Sequence, residues 1–233
     1  MIEKNLIQIN QRIRDICRKC GRNPDEITLV AISKMHTPVR IEEAYRAGLR
    51  HFGENRVQEL LPKMDGLPED IQWHMVGPLQ SNKIKSLVHG ASWIQSVSQI
   101  RHLKELEKRF VKAGRTINVL IQVNISGETQ KSGCEPEELP VILKEARRFE
   151  KVRVKGLMGM ATLTEDREQI RREFRLLRSL RDEHISLQSD SILLKELSMG
   201  MSDDFDLAIE EGATMIRLGS SVFGPRPCQI PAP

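Results

Sequence analysis

The amino-acid sequence predicts an α/β protein in which eight parallel strands alternate with helices and close into a (β/α)8 barrel. Short apolar, β-branched segments alternate strictly with amphipathic segments between residues 27 and 218, which is typical of a parallel sheet with helices outside. Eight such units are the number that closes into a barrel. The alternative is an open doubly wound sheet. Such a sheet usually carries a Gly-rich dinucleotide fingerprint after its first strand, and residues 33–38, SKMHTP, contain none.

The first element is a predicted amphipathic helix that precedes the first strand. Its apolar residues recur at steps of three and four, and Gly21 and Pro24 mark its end. They are Ile2, Leu6, Ile9, Ile13 and Ile16. Since α/β barrels of 233 residues often form one domain, we expect a single domain over 1–233. Within it, 1–24 form the N-terminal helix and 225–233 a Pro-rich tail.

The predicted strands are apolar runs bounded by turn residues, as expected for strands that are buried on both faces. In order they cover 27–34, 51–54, 71–76, 93–97, 117–125, 152–158, 193–198 and 214–218. The predicted helices between them cover 38–48, 57–64, 80–88, 99–112, 137–149, 167–183 and 204–211. After the last strand, Gly224 and the prolines that follow predict no eighth helix. The N-terminal helix can close that gap.

Composition sets limits on partners and compartment. Thirty-six Lys and Arg against 32 Asp and Glu leave a formal charge of +4 that is spread along the helices, and aromatic residues are only 4%. We therefore expect no nucleic-acid partner. The first residues lack the apolar centre of a signal peptide, and no apolar stretch approaches the ~20 residues that span a bilayer. These observations predict a cytoplasmic protein with no membrane partner.

The four cysteines predict neither a metal nor a redox site. Cys17 and Cys20 form a C-x-x-C pair, but the pair closes a helical pattern. Cys134 and Cys228 are far apart and supply no second pair with zinc-site spacing. We expect free, partly buried thiols.

Lys34 stands at the end of the first predicted strand, where a long amine follows an apolar run. One interpretation is a lysine that has reached water at the edge of the strand. The other is an amine in a pocket at the strand end, desolvated and available to form an imine with an aldehyde. Lys34 alone does not decide between them.

Two loops that follow the seventh and eighth predicted strands are rich in Gly and Ser. In barrels of this kind a phosphate site is often formed by these two loops, and here they are residues 198–204 and 219–224. Glycines let the backbone approach a phosphate, and serine hydroxyls add donors. The alternative for either loop alone is an ordinary helix cap, with Ser202 as N-cap residue. Arg217 lies inside the eighth strand, so it must be paired or point to the barrel mouth.

Lys34, Arg217 and a phosphate cradle together indicate an aldehyde that carries a phosphate and an acceptor nitrogen, which is pyridoxal phosphate. The chain closely resembles the pyridoxal phosphate homeostasis protein family over nearly its whole length. The segments that carry the resemblance are VAISK at 30–34, HFGENRVQE at 51–59, WHMVGPLQSNK at 73–83, KSG at 131–133, LSMGMSDD at 197–204 and IRLG at 216–219.

The resemblance implies a TIM barrel of the alanine-racemase type, pyridoxal phosphate fold-type III, with the cofactor held on Lys34 as an internal aldimine. Residues implied for the phosphate cradle are Ser198, Gly200, Met201, Gly219 and Ser220. Arg217 is implied as the partner of the pyridine nitrogen, and Asn55, His74 and Met158 as mouth residues near the ring. Arg56 stands where the family often has an aromatic residue, and Met35-His36 where smaller or basic residues are common. Lys131 is a candidate for a secondary vitamer site, with a solvated loop lysine as the alternative.

The predicted function is non-catalytic. An arginine opposite the pyridine nitrogen keeps that nitrogen unprotonated, so the ring withdraws electrons weakly. A racemase also needs a second base across the ring, and the one tyrosine, Tyr45, lies mid-helix. We expect a monomeric carrier in vitamin B6 homeostasis whose partners are B6 vitamers and pyridoxal-phosphate-dependent apo-enzymes. The alternatives are an amino-acid racemase and a barrel isomerase that acts on a sugar phosphate.

Overall fold

The computed structural model describes residues 1–128, 130 and 132–225, in which eight parallel strands form a closed barrel. Each strand pairs with the next in sequence, and β8 pairs with β1. The strands are β1 Thr28–Ile32, β2 His51–Glu54, β3 Gln72–Met75, β4 Trp93–Val97, β5 Ile117–Gln122, β6 Val152–Met158, β7 Ile192–Ser198 and β8 Met215–Leu218. The predicted fold class and strand order are confirmed.

Nine α-helices lie among the described residues. They are α1 Ile2–Cys20, α2 Pro38–Arg46, α3 Val57–Met64, α4 Ile84–Leu87, α5 Ile100–Lys112, α6 Leu139–Ala146, α7 Arg167–Glu183, α8 Phe205–Glu210 and α9 Ser220–Phe223. Helices α3 and α7 have the predicted bounds. The predicted helices 80–88 and 137–149 are shorter than expected, because each begins as a 3₁₀ turn, Ser81–Lys83 and Pro136–Glu138.

The first strand ends two residues earlier than predicted. Ser33 still donates its amide to the Gly53 carbonyl at 3.0 Å, and Lys34 and Met35 then form a turn in which Met35 has φ 65°. That left-handed conformation is uncommon for a residue with a side chain. The Met35 amide donates to Glu59 Oε2 at 3.0 Å, which stabilises the turn. Lys34 therefore lies on a tight turn at the barrel mouth and not within the strand.

The fifth strand is also shorter than the apolar run suggested. It ends at Gln122, and Val123 forms only an isolated bridge to Cys134. The Asn124 amide donates to the Cys134 carbonyl at 2.9 Å. The chain thus leaves the barrel because the segment around Cys134 takes over its backbone hydrogen bonds.

A short helix follows β8, so the expectation that no helix comes after that strand is wrong. Pro225 comes too late to prevent the single turn Ser220–Phe223. The expectation that the N-terminal helix closes the gap is confirmed, because α1 packs against α8 and α9. Asn5 Nδ2 donates to the Val222 carbonyl at 2.9 Å. The buried stripe of α1 consists of Ile2, Leu6, Ile9, Ile13 and Cys17.

Alternate residues of each strand face the helices or the barrel interior. In β1, Leu29 and Ala31 belong to the large core under the helices. Val30 and Ile32 face inward, since a Cβ on Gly53 would lie 3.3 Å from Val30 and 2.7 Å from Ile32. A smaller apolar cluster comprises Leu120, Met158 and Met215, with Trp93 and Met160 packed against it.

Two sequence expectations fall outside the described residues: the candidate vitamer site at Lys131 and most of the Pro-rich tail 225–233. The three cysteines within the described part of the chain are free; Cys17 and Cys134 are buried and Cys20 is exposed. Of the helices that the structure describes, none has the length and apolar character needed to cross a bilayer.

Candidate functional site

Lys34 is a half-buried amine at the carboxyl end of the barrel. Lys34 lies on the turn that follows β1, directly after Ser33, whose Oγ donates to Glu54 Oε1 at 2.6 Å. Its amine makes no hydrogen bond or ion pair with the residues that the structure describes. Lys34 is therefore available to a ligand at the barrel mouth.

A buried ion pair holds the turn that carries Lys34. Lys63 Nζ, on α3, donates to Glu54 Oε1 at 2.7 Å and to the Ser33 carbonyl at 2.9 Å. Ser33 Oγ donates to the same Glu54 oxygen at 2.6 Å. Burial raises the pKa of the Glu54 carboxyl, while hydrogen bonds from Lys63 and Ser33 act against that shift. Sequence reasoning missed this network, although Lys63 four residues after Glu59 on a helix is a recognisable ion-pair spacing.

The loops after β7 and β8 lie side by side, as the sequence predicted. Ser202 Oγ and Ser220 Oγ are 3.5 Å apart. Ser202 is not a helix cap, since α8 begins after Asp204, whose Oδ1 accepts from the Met201 amide at 2.5 Å. Gly200 has φ 92°, a conformation that favours glycine. The two serine hydroxyls thus form one edge of a surface with hydrogen-bond donors.

Gly219 and Ser220 are neighbours of the end of β1. Val30 pairs with Arg217 and Ala31 with Leu218, and a Cβ on Gly219 would lie 3.5 Å from the Ile32 carbonyl oxygen. This register brings the turn after β8 next to the turn that carries Lys34.

Arg217 is buried inside the barrel and fixed by two hydrogen bonds. Its Nη1 donates to Ser198 Oγ at 2.6 Å and its Nη2 to the Gly159 carbonyl at 2.9 Å. Burial lowers the pKa of Arg217 to about 10, with Asp204 acting in the opposite direction, so the guanidinium stays charged near neutral pH. Of the two alternatives that the sequence left open, pairing or a position facing the barrel mouth, the structure shows the hydrogen-bonded one.

Ser198, implied for the phosphate cradle, and His74, implied as a mouth residue, are both buried and joined by hydrogen bonds through Gln95. Ser198 Oγ accepts from Arg217 and donates to Gln95 Oε1 at 2.6 Å. Gln95 Nε2 lies 2.8 Å from His74 Nδ1, and His74 Nε2 lies 3.0 Å from His51 Nδ1. His74 is 0% exposed, and burial lowers its pKa well below the ordinary value. Gln95 and His51 were missed, although each is a polar residue in a predicted buried strand.

Asn55 and Met158 occupy different surroundings. Asn55 is half-buried and lines an open cavity of about 520 Å³ together with Arg56 and Lys83. Met158 is 1% exposed and packs against Leu120 and Met215. Met201 is 38% exposed at the rim. Their contact with a ligand ring or phosphate stays a prediction.

The donor set at the carboxyl end of the barrel fits pyridoxal phosphate. That molecule needs an amine for its aldehyde, donors for its phosphate and a partner for its ring nitrogen. Lys34 supplies an amine that no other described residue binds, Ser202 and Ser220 supply neighbouring hydroxyls, and Arg217 supplies a guanidinium on β8, the strand next to β1. The groups belong to adjacent strands, β7, β8 and β1.

Comparisons with known proteins agree with this arrangement. Residues 5–227 match the family model described as alanine racemase, N-terminal domain. The chain is 38% identical over 232 residues to the pyridoxal phosphate homeostasis protein of Pseudomonas aeruginosa, covering 99% of this chain and 98% of the relative. It is 41% identical over 225 residues to the protein of the same name from Aquifex aeolicus, covering 96% and 97%. The solved structure of PipY from Synechococcus elongatus with PLP bound superposes with a TM-score of 0.83 and 35% identity, covering 96% of this chain and 100% of PipY.

The closed barrel and the match over residues 5–227 define a barrel of the alanine-racemase N-terminal type. Within that class, the chain belongs to the family of pyridoxal phosphate homeostasis proteins.

Proposed function

We propose that the chain binds pyridoxal 5'-phosphate and serves in intracellular vitamin B6 homeostasis, without being a dedicated enzyme. The observation that carries the proposal is the half-buried Lys34, whose amine has no partner among the described residues and whose turn lies next to the serine-bearing turn after β8. Its relatives are named for pyridoxal phosphate homeostasis, and PipY was solved with PLP bound.

Each part of the site has a proposed role. Lys34 holds the cofactor covalently, and the turns with Gly200, Met201, Gly219 and Ser220 bind the phosphate, with Ser202 added to that set. Arg217 faces the ring nitrogen and leaves it unprotonated, because a guanidinium does not give up its proton near neutral pH. The bound cofactor supplies an electron-withdrawing ring, and that effect is weak when the nitrogen carries no proton.

The position of Tyr45 supports a carrier over a racemase. Its hydroxyl donates to Asp70 Oδ1 at 2.8 Å, and the Arg50 guanidinium lies 4.0 Å from the ring centroid. Tyr45 lies near the end of α2, which leads into the amino end of β2, while Lys34 lies at the carboxyl end of the barrel. The single tyrosine of the chain is therefore unsuited to act as a second base across a ring held on Lys34.

The proposal extends to partners and place of action. The carrier takes up B6 vitamers, gives pyridoxal phosphate to apo-enzymes that need it, works in the cytoplasm and acts as a monomer. Light scattering of the purified protein tests whether it is a monomer. Delivery is tested by mixing the loaded protein with a cofactor-free apo-enzyme and measuring the recovery of that enzyme's activity.

The decisive experiment is to trap the covalent link. Pyridoxal phosphate is added to the wild type, the mixture is reduced with borohydride, and the labelled residue is mapped by mass spectrometry. We expect the label on Lys34 and a visible absorption band that is lost in Lys34→Ala. The matched control is Lys85→Ala, an exposed lysine of α4, which should behave as wild type.

Two results would contradict the proposal. A wild-type label that maps to another lysine, or no label at all, excludes Lys34 as the attachment point. If holo-protein exchanges the α-proton of L-alanine in deuterated water at enzymatic turnover rates, the racemase alternative replaces the carrier.

A further inference from the structure

We propose that His74 and Gln95 are positioning residues that fix Arg217 through Ser198, and that His74 does not touch the ligand. The inference rests on the proposed function, because it explains how the guanidinium is held toward the ring nitrogen of pyridoxal phosphate. It reassigns His74 from the barrel mouth to the interior and adds Gln95 to the machinery of the site.

The directions of the hydrogen bonds in this chain follow from Arg217 together with the orientation of the Gln95 amide, whose Oε1 faces Ser198 and whose Nε2 faces His74. A guanidinium has only donors, so Ser198 Oγ must accept from Arg217 Nη1. The serine proton is then free to go to Gln95 Oε1. In the orientation that the structure has, the Gln95 amide presents Nε2 to His74 Nδ1, which then accepts. We call these residues, with His51, the interior chain.

The same hydrogen bonds determine which ring nitrogen of His74 and of His51 carries the proton. Since His74 Nδ1 accepts, its ring proton lies on Nε2 and is donated to His51 Nδ1 at 3.0 Å. His51 therefore also carries its proton on Nε2. Both rings are neutral in this arrangement, in agreement with the lowered pKa of each, which burial causes.

No nitrogen of His74 remains for a ligand. Both ring nitrogens are engaged, the side chain is 0% exposed, and the ring stacks on Trp93 with centroids 5.4 Å apart. Any contact between His74 and a ligand would break at least one of these bonds inside the barrel, where an unpaired polar group is costly.

Gln95 decides how Ser198 is oriented. A serine hydroxyl rotates to suit its partners, and Gln95 Oε1 is the acceptor that directs its proton away from Arg217. With that acceptor present, the serine lone pair faces Arg217 Nη1. The Gly159 carbonyl holds Nη2 at 2.9 Å, so the guanidinium plane is fixed at two points.

The first test determines the tautomers of His74 and His51 in the apo-protein by ¹⁵N NMR of histidine-labelled samples at mildly alkaline pH. We expect His74 and His51 each to show a protonated Nε2 and an unprotonated Nδ1. In Gln95→Met the His74 Nδ1 signal should shift, because its donor is gone. A proton on His74 Nδ1 in the wild type would overturn the inference, whatever the protein binds.

The second test compares two buried glutamines. Gln122 is 3% exposed on β5 and donates to the Ser132 carbonyl at 2.7 Å, outside the interior chain. We expect Gln95→Met to raise the Kd for pyridoxal phosphate about tenfold, the effect of one lost hydrogen bond. Gln122→Met should leave the Kd within about twofold. Melting temperatures of both variants report any general loss of stability.

The outcomes separate the inference from the proposed function. A wild type that does not bind pyridoxal phosphate refutes the function, while the NMR result still reports on the hydrogen bonds. If the wild type binds and both methionine variants weaken binding equally, or Gln95→Met does not weaken it, Gln95 does not position Arg217.

Discussion

At the scale of single residues, the turn that presents Lys34 depends on a charge pair that lies behind it. Glu54 is 0% exposed, and its Oε2 has no partner among the described residues. Its Oε1 accepts from both Ser33 and Lys63. Removing one member of a buried pair leaves an uncompensated charge, which costs far more than losing an exposed pair.

We expect Lys63→Met to lower the free energy of unfolding by about 3–5 kcal/mol, measured by urea denaturation. The matched control is Lys104→Met, since Lys104 pairs with Glu145 at 3.3 Å but is 61% exposed; that change should cost less than about 1 kcal/mol. The double variant Glu54→Gln/Lys63→Met should recover part of the loss. Equal effects of Lys63→Met and Lys104→Met would show that the buried pair does not hold the turn.

Contacts between residues far apart in the chain could not be predicted from the sequence. A lysine at a strand end and an arginine within β8 were identifiable from their neighbours in sequence. The bond between Ser198 and Gln95 joins residues 103 positions apart, and it exists because the barrel closes with one particular register. The sequence therefore predicted Ser198 as a member of the phosphate cradle but gave no sign of its hydrogen bonds with Gln95 and Arg217.

At the scale of elements, strand interiors were predicted more accurately than their ends. Apolar alternation locates β4 and β6 to the residue, because buried strands leave a continuous apolar pattern. The ends of β1 and β5 depend on side-chain and loop hydrogen bonds, from Glu59 to the Met35 amide and between Asn124 and Cys134. Those contacts leave no pattern in the sequence near the strand ends.

The loop between β7 and α8 depends on a glycine that has no room for a side chain. Gly200 has φ 92°, and a Cβ there would lie 2.5 Å from the Ala208 Cβ. We expect Gly200→Ala to destabilise the apo-protein by at least about 1–3 kcal/mol, measured by thermal unfolding.

Gly219→Ala is the matched control for that loop. Gly219 has φ −112°, and a Cβ added there would lie 3.5 Å from the Ile32 carbonyl oxygen, an ordinary contact. The melting temperature of the Gly219→Ala apo-protein should be close to that of wild type. A Gly200→Ala protein as stable as Gly219→Ala would mean that the loop can shift to accept a side chain.

At the scale of the whole molecule, buried histidines couple stability to pH. Burial lowers the pKa of His36, His51, His74 and His102 in the folded protein. Below the unfolded pKa of about 6.5 the unfolded chain binds protons that the folded chain does not. Stability from these groups is therefore complete above that pH and is lost as the pH falls.

His102 offers a test of this coupling outside the candidate site. It is 6% exposed, and its Nδ1 has no partner among the described residues. We expect unfolding free energy to fall less steeply between pH 7 and 5 in His102→Leu than in wild type, by up to about 1.4 kcal/mol per pH unit. Glu54 and Asp204, whose pKa values are raised by burial, contribute equally to both proteins. Identical slopes would show that His102 takes up its proton in the folded state.

Closure of the barrel by its first and last strands has a consequence for synthesis on the ribosome. Strand β1 needs β8, and helix α1 needs α8 and α9, yet these partners begin only at Met215, Phe205 and Ser220. Until then the nascent chain exposes an unpaired strand edge and an uncovered apolar stripe, both of which favour aggregation. We therefore expect emerging chains of this protein to need protection from aggregation until the segment around Val222 leaves the exit tunnel.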